Sequence, residues 1–167
     1  PVSGKVFDSE ELINGVEAVL DGWWTEGRFA LKFEKAFRGY LGVRYVSLVN
    51  SGSSANLIAL TSLTSPIFGE KALKSGDEVI TVSTGFPTTV NPIIQNNLIP
   101  VFIDNDINTK NATVDCINKA ITSKTKAIMM AHTLGNPMPL NGIMDIVQKY
   151  KLWFIEDCCD GLGGSYA

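Results

Sequence analysis

Five short, largely apolar runs, at residues 44–49, 77–82, 98–103, 126–131 and 152–155, alternate with segments of helical pattern. A strand apolar along its whole length must be covered on both faces, and intervening helices supply that cover. The pattern therefore predicts an α/β fold, a three-layer sandwich around a mostly parallel sheet. Ahead of it, Asp8-Ser9-Glu10-Glu11 reads as a capping box opening an amphipathic helix through Leu12, Val16, Val19 and Leu20, stopped by Gly22. A second helix near 31–40 sets Phe33, Phe37 and Leu41 on one face and ends at Gly42. The expected organisation is an N-terminal helical segment, 1–42, followed by the α/β part, 43–167. Further helices are expected after Ser51-Gly52-Ser53-Ser54, from Phe86-Pro87, over 113–121 and over 140–150.

Charge and composition remove several function classes. Fourteen Lys and Arg against 17 Asp and Glu leave a formal net charge of −3, so no broad electropositive surface invites nucleic acid or anionic membrane. No apolar run approaches the roughly 20 residues of a membrane span, and Pro1-Val2-Ser3-Gly4-Lys5 lacks the apolar core of a secretory signal. Cys116, Cys158 and Cys159 are odd in number and two are adjacent, which suits a reducing compartment. A cytoplasmic protein is expected. With one histidine, His132, a zinc site would need nearly every Cys and His to converge, and none is expected. The absence of an initiator Met and a stop straight after the fifth run are expected of a piece of a longer chain.

Ligands of open α/β sheets bind beyond the carboxyl ends of the strands, and four such ends carry unusual residues. Ser51-Gly52-Ser53-Ser54 leads into a helix, where free N–H groups, hydroxyls and the helix dipole make a phosphate seat. The bland alternative is an ordinary Ser N-cap. Phe86, in Ser83-Thr84-Gly85-Phe86-Pro87, offers a ring to lie on a planar ligand, or is core. His132 is a hydrogen-bonded histidine at a strand end before anything else. In Glu156-Asp157-Cys158-Cys159-Asp160 a carboxylate either caps the next helix or, in a dry cleft, keeps a pyridine nitrogen protonated. Phosphate seat, ring stacker and pyridinium partner on one sheet edge together describe pyridoxal phosphate.

At these residues the chain resembles the DegT/DnrJ/EryC1/StrS sugar aminotransferase family of fold-type-I pyridoxal-phosphate enzymes. The resemblance rests on Asp21-Gly22-Trp23-Trp24-Thr25 with Gly27-Arg28-Phe29, on Ser51 to Leu57, on Gly76 to Thr81, on Gly85 to Pro92, on Ala131 to Asn136 and on Ile155 to Asp160. It spans essentially the whole chain but only the N-terminal part of such an enzyme, under half of it. It implies a PLP-dependent transferase-like large domain, incomplete here.

Carried over by position, the family pattern makes Gly52 and Ser53 phosphate contacts, Phe86 the ring stacker and Asp157 the partner of the ring nitrogen. The residue three beyond that Asp, usually Gln or His near the cofactor's 3-hydroxyl, is Asp160 here. That departure, with Cys158-Cys159, points within the family to a lyase, a sugar-nucleotide 3-dehydratase. Such an enzyme uses pyridoxamine phosphate to remove the C3 hydroxyl of a nucleotide-linked 4-keto-6-deoxyhexose in the biosynthesis of dideoxysugars of lipopolysaccharide O-antigen. By resemblance Cys159 is the first ligand of a [2Fe–2S] cluster fed by a flavin/iron–sulfur reductase, or else a buried small hydrophobe. This chain alone lacks the four thiolates such a cluster needs. A homodimer is implied. The Schiff-base Lys, or the His replacing it, is expected beyond Ala167, so no catalytic residue is expected within the chain and the 167 residues alone are expected to be inactive. The alternatives are a nucleotide-sugar aminotransferase and a truncated, non-catalytic binding or structural module.

Overall fold

The computed structural model describes residues 4–166. Contacts divide the chain into two units, Pro1–Val49 and Asn50–Ala167, so that 43–49 fall with the helices. In the first unit α1 (Ser9–Leu20) opens on the expected capping box: the Asp8 carboxylate accepts from the Glu10 N–H, and Glu11 Oε2 accepts from the Asp8 N–H. α2 (Arg28–Leu41) ends at Gly42, whose φ of 67° is the left-handed conformation only glycine adopts without cost. The Arg28 guanidinium joins the helices, donating to Asp21 and Glu17. No residue of either helix is buried, and the Leu12, Val16 and Phe33 side chains lie open.

One expectation fails in this unit. Residues 44–49 form no strand; Tyr45 is 82% exposed, and the Leu48 N–H donates to the Glu34 carboxylate of α2 instead of to a sheet. A strand exists by pairing, and apolar content alone does not supply a partner.

The second unit carries four strands, β1 (Glu78–Val82), β2 (Ile99–Ile103), β3 (Thr125–Ala131) and β4 (Trp153–Asp157), all parallel and ordered β2-β1-β3-β4. Helices α3 (Gly52–Ser62), α4 (Pro87–Gln95), α5 (Val114–Ala120) and α6 (Leu140–Tyr150) fall where the sequence expects them, to within a few residues at each end. Alternation along the strands builds two cores. Ile80, Val82, Ile128 and Met130 face Ile117 of α5 and Ile143 and Ile146 of α6. Val79, Ala127 and Met129 face Leu60 of α3 and Ile93 of α4. The result is the helix–sheet–helix sandwich. Ile80, Ile128 and Met129 have no exposed surface, and each such side chain contributes about 1.5–3 kcal/mol of burial.

Candidate functional site

β1 leads to β2 on one side and β3 leads to β4 on the other, so the strand order reverses between β1 and β3. In a doubly wound sheet the crevice for a ligand opens at that reversal, outside the carboxyl ends. A cavity of about 310 Å³ lies there, lined by Gly52, Ser53, Phe86, Asp157, Cys159 and Asp160 among others. Every residue named from the sequence as a cofactor or metal contact therefore meets in one cavity.

The floor of the cavity is set by α3. Ser51 takes extended φ and ψ of −164° and 159°, and its hydroxyl accepts the Ser54 N–H, which starts the helix. The Gly52 and Ser53 N–H groups lie in the first turn, where a helix has no internal partner for them. A Cβ at Gly52 would meet nothing within 4 Å, so the space beside this end of the helix is open.

Asp157 ends β4 and is 9% exposed. Its Oδ2 accepts from Asn56 Nδ2 at 2.8 Å and from the Thr89 hydroxyl at 2.7 Å, and its Oδ1 accepts from the Cys159 N–H at 3.2 Å. Asn56 sits one turn into α3 and Thr89 in the first turn of α4, so two helices and a strand aim one carboxylate. Neither residue is given a role by sequence reasoning. Polar neighbours such as Ser53, Ser54, Thr88 and Asn91 hide both in the sequence; what sets them apart is burial, Asn56 being 7% and Thr89 2% exposed.

Phe86 caps α4 just before Pro87 and is 70% exposed, so it belongs to the cavity wall and not to the core. Asp160 lines the cavity while its Oδ2 accepts the Leu134 N–H at 3.2 Å. Leu134 has a φ of 56°, rare for a residue with a branched side chain, and the Asp160 bond holds it there. Cys159 is an exposed thiol on the cavity wall, whereas Cys116 sits on α5 against the core. Burial, and then the charges of Glu156 and Asp157, push the Cys158 thiol up. His132 is 8% exposed and does not line the cavity; its ring bonds to Met138 and Glu156 behind it.

No helix among the described residues is long and apolar enough to cross a membrane. The chain is 60% identical to the lipopolysaccharide biosynthesis protein RfbH of Salmonella typhimurium, over 99% of this chain and 38% of that protein. It is 51% identical to the dTDP-4-dehydro-2,6-dideoxy-D-glucose 3-dehydratase of Saccharopolyspora spinosa, over 98% of this chain and 36% of that protein. Among solved structures, an E. coli GDP-4-keto-6-deoxy-D-mannose-3-dehydratase with bound hydrated PLP superposes with a TM-score of 0.88 at 33% identity, covering 99% of this chain and 42% of that one. The chain thus spans about two fifths of the proteins it matches, with the α/β architecture of fold-type-I PLP enzymes. Residues 7–167 match one family along their whole length, and the chain belongs to the DegT/DnrJ/EryC1/StrS aminotransferase family.

Proposed function

We propose that these residues are the cofactor-binding part of a pyridoxamine/pyridoxal-phosphate-dependent 3-dehydratase. Its substrate is a nucleotide-linked 4-keto-6-deoxyhexose, on the route to the dideoxysugars of lipopolysaccharide O-antigen. The observation that carries the reading is the Asp157 carboxylate, held by Asn56 and Thr89 at the rim of a cavity whose floor is a helix N-terminus. The names of the relatives support the reaction class.

The residues fit the cofactor. Gly52 and Ser53 would take the phosphate with their N–H groups, since the dipole of α3 favours an anion there. The exposed Phe86 ring would cover one face of the pyridine and keep water from it. Asp157 would hold a proton on the ring nitrogen, opposite charge favouring the cationic form. Asn56 and Thr89 keep that carboxylate from turning away. When bound, the cofactor supplies an amine for the sugar ketone and a pyridinium that withdraws electrons from the neighbouring carbon. Asp160 and Cys159 are proposed to face the same group; Asp160 does so with the carboxylate that also holds Leu134. The residue that moves the proton is proposed to lie outside these 167 residues.

In the net reaction the C3–O bond breaks, the hydroxyl leaves as water, and two electrons with two protons put hydrogen in its place. A flavin/iron–sulfur reductase is the proposed electron donor, and a homodimer in the cytoplasm the proposed setting. A [2Fe–2S] cluster does not fit the donors of this chain. It needs four thiolates; there are three cysteines, and Cys116 belongs to a different element from Cys158 and Cys159. No electron path is drawn through one.

The test is incubation of the longer enzyme proposed to contain these residues with pyridoxamine phosphate, a reductant and nucleotide-linked 4-keto-6-deoxyhexoses, read by mass spectrometry. A product lacking one oxygen is expected. A product carrying an amino group in place of the keto oxygen would make it an aminotransferase. Absence of any absorbance or melting shift on adding pyridoxamine phosphate would leave a non-catalytic module.

A further inference from the structure

His132, the one histidine of the chain, lies against Glu156 and Cys158, with one donor atom of each residue within 4.8 Å of the others. Three such groups invite a divalent metal, and the ring's own hydrogen bonds decide against it. The Met138 backbone N–H points at Nδ1 from 3.1 Å. A backbone N–H can only donate, so Nδ1 is the unprotonated nitrogen and the neutral ring carries its proton on Nε2. Nε2–H then donates to Glu156 Oε2 at 3.0 Å. A metal on Nε2 would drive the proton to Nδ1, where it would meet the Met138 N–H. Metal-bound histidines donate through their second nitrogen, and this one accepts there.

What the ring does hold is the end of β4. Side chains alternate across the sheet, so Met130 and Glu156, paired in register, lie on the face opposite Asp157. On that face Glu156 is tied to the His132 ring. The His132 N–H donates to the Asp157 carbonyl at 3.2 Å, extending the ladder one residue past β3. The next turn folds over the same ring: a Cβ on Gly161 would stand 2.9 Å from His132 Cβ and 3.3 Å from Cδ2, so only glycine allows that approach. One residue earlier, Asp160 holds Leu134 of the loop that follows His132.

We propose that His132 is a positioning residue for Asp157, fixing the strand end and the turn 158–161 from the sheet face opposite the carboxylate. Its role toward the cofactor rests on the reading of Asp157 as the partner of the ring nitrogen; its tautomer does not. Asn56 and Thr89 orient the carboxylate group, and His132 fixes the backbone that carries it.

Two measurements test this. In the chain labelled with 15N-histidine a single pair of ring nitrogens is observed. The expected result is an Nε2–H tautomer, unchanged by equimolar Zn2+; an Nδ1–H tautomer, or loss of the Nε2 proton on adding zinc, overturns the proposal. In the holoprotein, the absorbance band and affinity of bound pyridoxamine phosphate are compared for Asp157→Asn, His132→Ala, His132→Gln and Glu156→Ala. His132→Ala is expected to move the band in the direction of Asp157→Asn and to weaken binding about fivefold, the worth of one hydrogen bond, with His132→Gln restoring part through its Nε2 donor. Glu156→Ala removes the same contact without opening the buried ring site, and serves where His132→Ala fails to fold. If Asp157→Asn moves the band while the His132 and Glu156 variants leave it in place, the positioning role is overturned. If Asp157→Asn moves nothing, the cofactor reading itself has failed, and the role of His132 toward it falls too.

Discussion

The Thr89 hydroxyl donates to the Asp157 carboxylate across 2.7 Å, tying the first turn of α4 to the last residue of β4. Both are nearly sealed from water, so a lost donor is not replaced cheaply. Thr89→Val keeps the shape and removes the donor. It is expected to destabilise the chain by about 1.5–3 kcal/mol, the range for hydrogen bonds to charged groups, with Thr89→Ser close to wild type. Urea denaturation reads this directly; a loss below about 0.5 kcal/mol would mean that the bond contributes no more than a surface contact.

At Gly52 stability and binding are expected to move in opposite directions. Gly52 opens α3 with open space beyond its Cα. A carboxylate in the first turn of a helix is favourable by about 0.3–1 kcal/mol, and replacing glycine also restricts the unfolded chain. Gly52→Asp should therefore raise the melting temperature. The same carboxylate occupies the phosphate seat and repels a phosphate, so affinity for pyridoxamine phosphate should fall by at least about tenfold. A variant that melts higher and still binds the cofactor normally would remove Gly52 from the seat.

Gly142 reverses an ordinary rule. It lies inside α6, where Gly→Ala usually stabilises by roughly 1 kcal/mol. Here the added methyl would sit 2.5 Å from Val114 Cγ2 on the neighbouring α5, and a β-branched side chain has little room to turn away. Overpacking costs about 1–3 kcal/mol, which outweighs the propensity gain. Gly142→Ala is expected to lower stability, and adding Val114→Ala to recover it; a double variant no better than the single one would place the strain elsewhere.

These residues also show what could be read from sequence. The runs at 77–82, 98–103 and 126–131 announce their strands by apolar content; for β1 and β3 the reason is burial, which admits few polar side chains, whereas β2 at the sheet edge leaves Ile99 and Phe102 exposed. The run at 44–49 has similar composition and is no strand, since pairing depends on a neighbour that composition does not report. Gly52, Ser53, Phe86 and Asp157 stood out because each opens, caps or ends an element with a residue type unusual there, although the strand expected ahead of Gly52 does not form. Asn56 and Thr89 did not. They lie 101 and 68 residues from Asp157 along the chain, and their role exists only once α3 and α4 pack on the same face of the sheet. The sequence marks His132 as a hydrogen-bonded strand-end histidine; the acceptor role of Nδ1 comes from a backbone N–H, which no sequence pattern displays.

The loop from β2 to α5 joins the Asp106 carboxylate to the cavity wall through a chain of hydrogen bonds. The Asp106 carboxylate accepts the backbone N–H groups of Asn108 and Thr109, and these bonds, the Thr109 bond first, hold Asp106 below its ordinary carboxylate value of 3.8. The turn presents Asn111, 2% exposed, whose Oδ1 accepts the N–H of Thr133 on the cavity wall. A carboxyl whose value is lowered on folding supports the fold above its unfolded value and loses that support as pH falls through the folded one. The amide shifts of Asn108 and Thr109 should therefore titrate together with a midpoint below 3.8, and the Thr133 amide should follow them. Asp106→Asn should abolish the transition. A midpoint at or above 3.8, or a Thr133 amide that stays still while the loop titrates, would separate this turn from the cavity it borders.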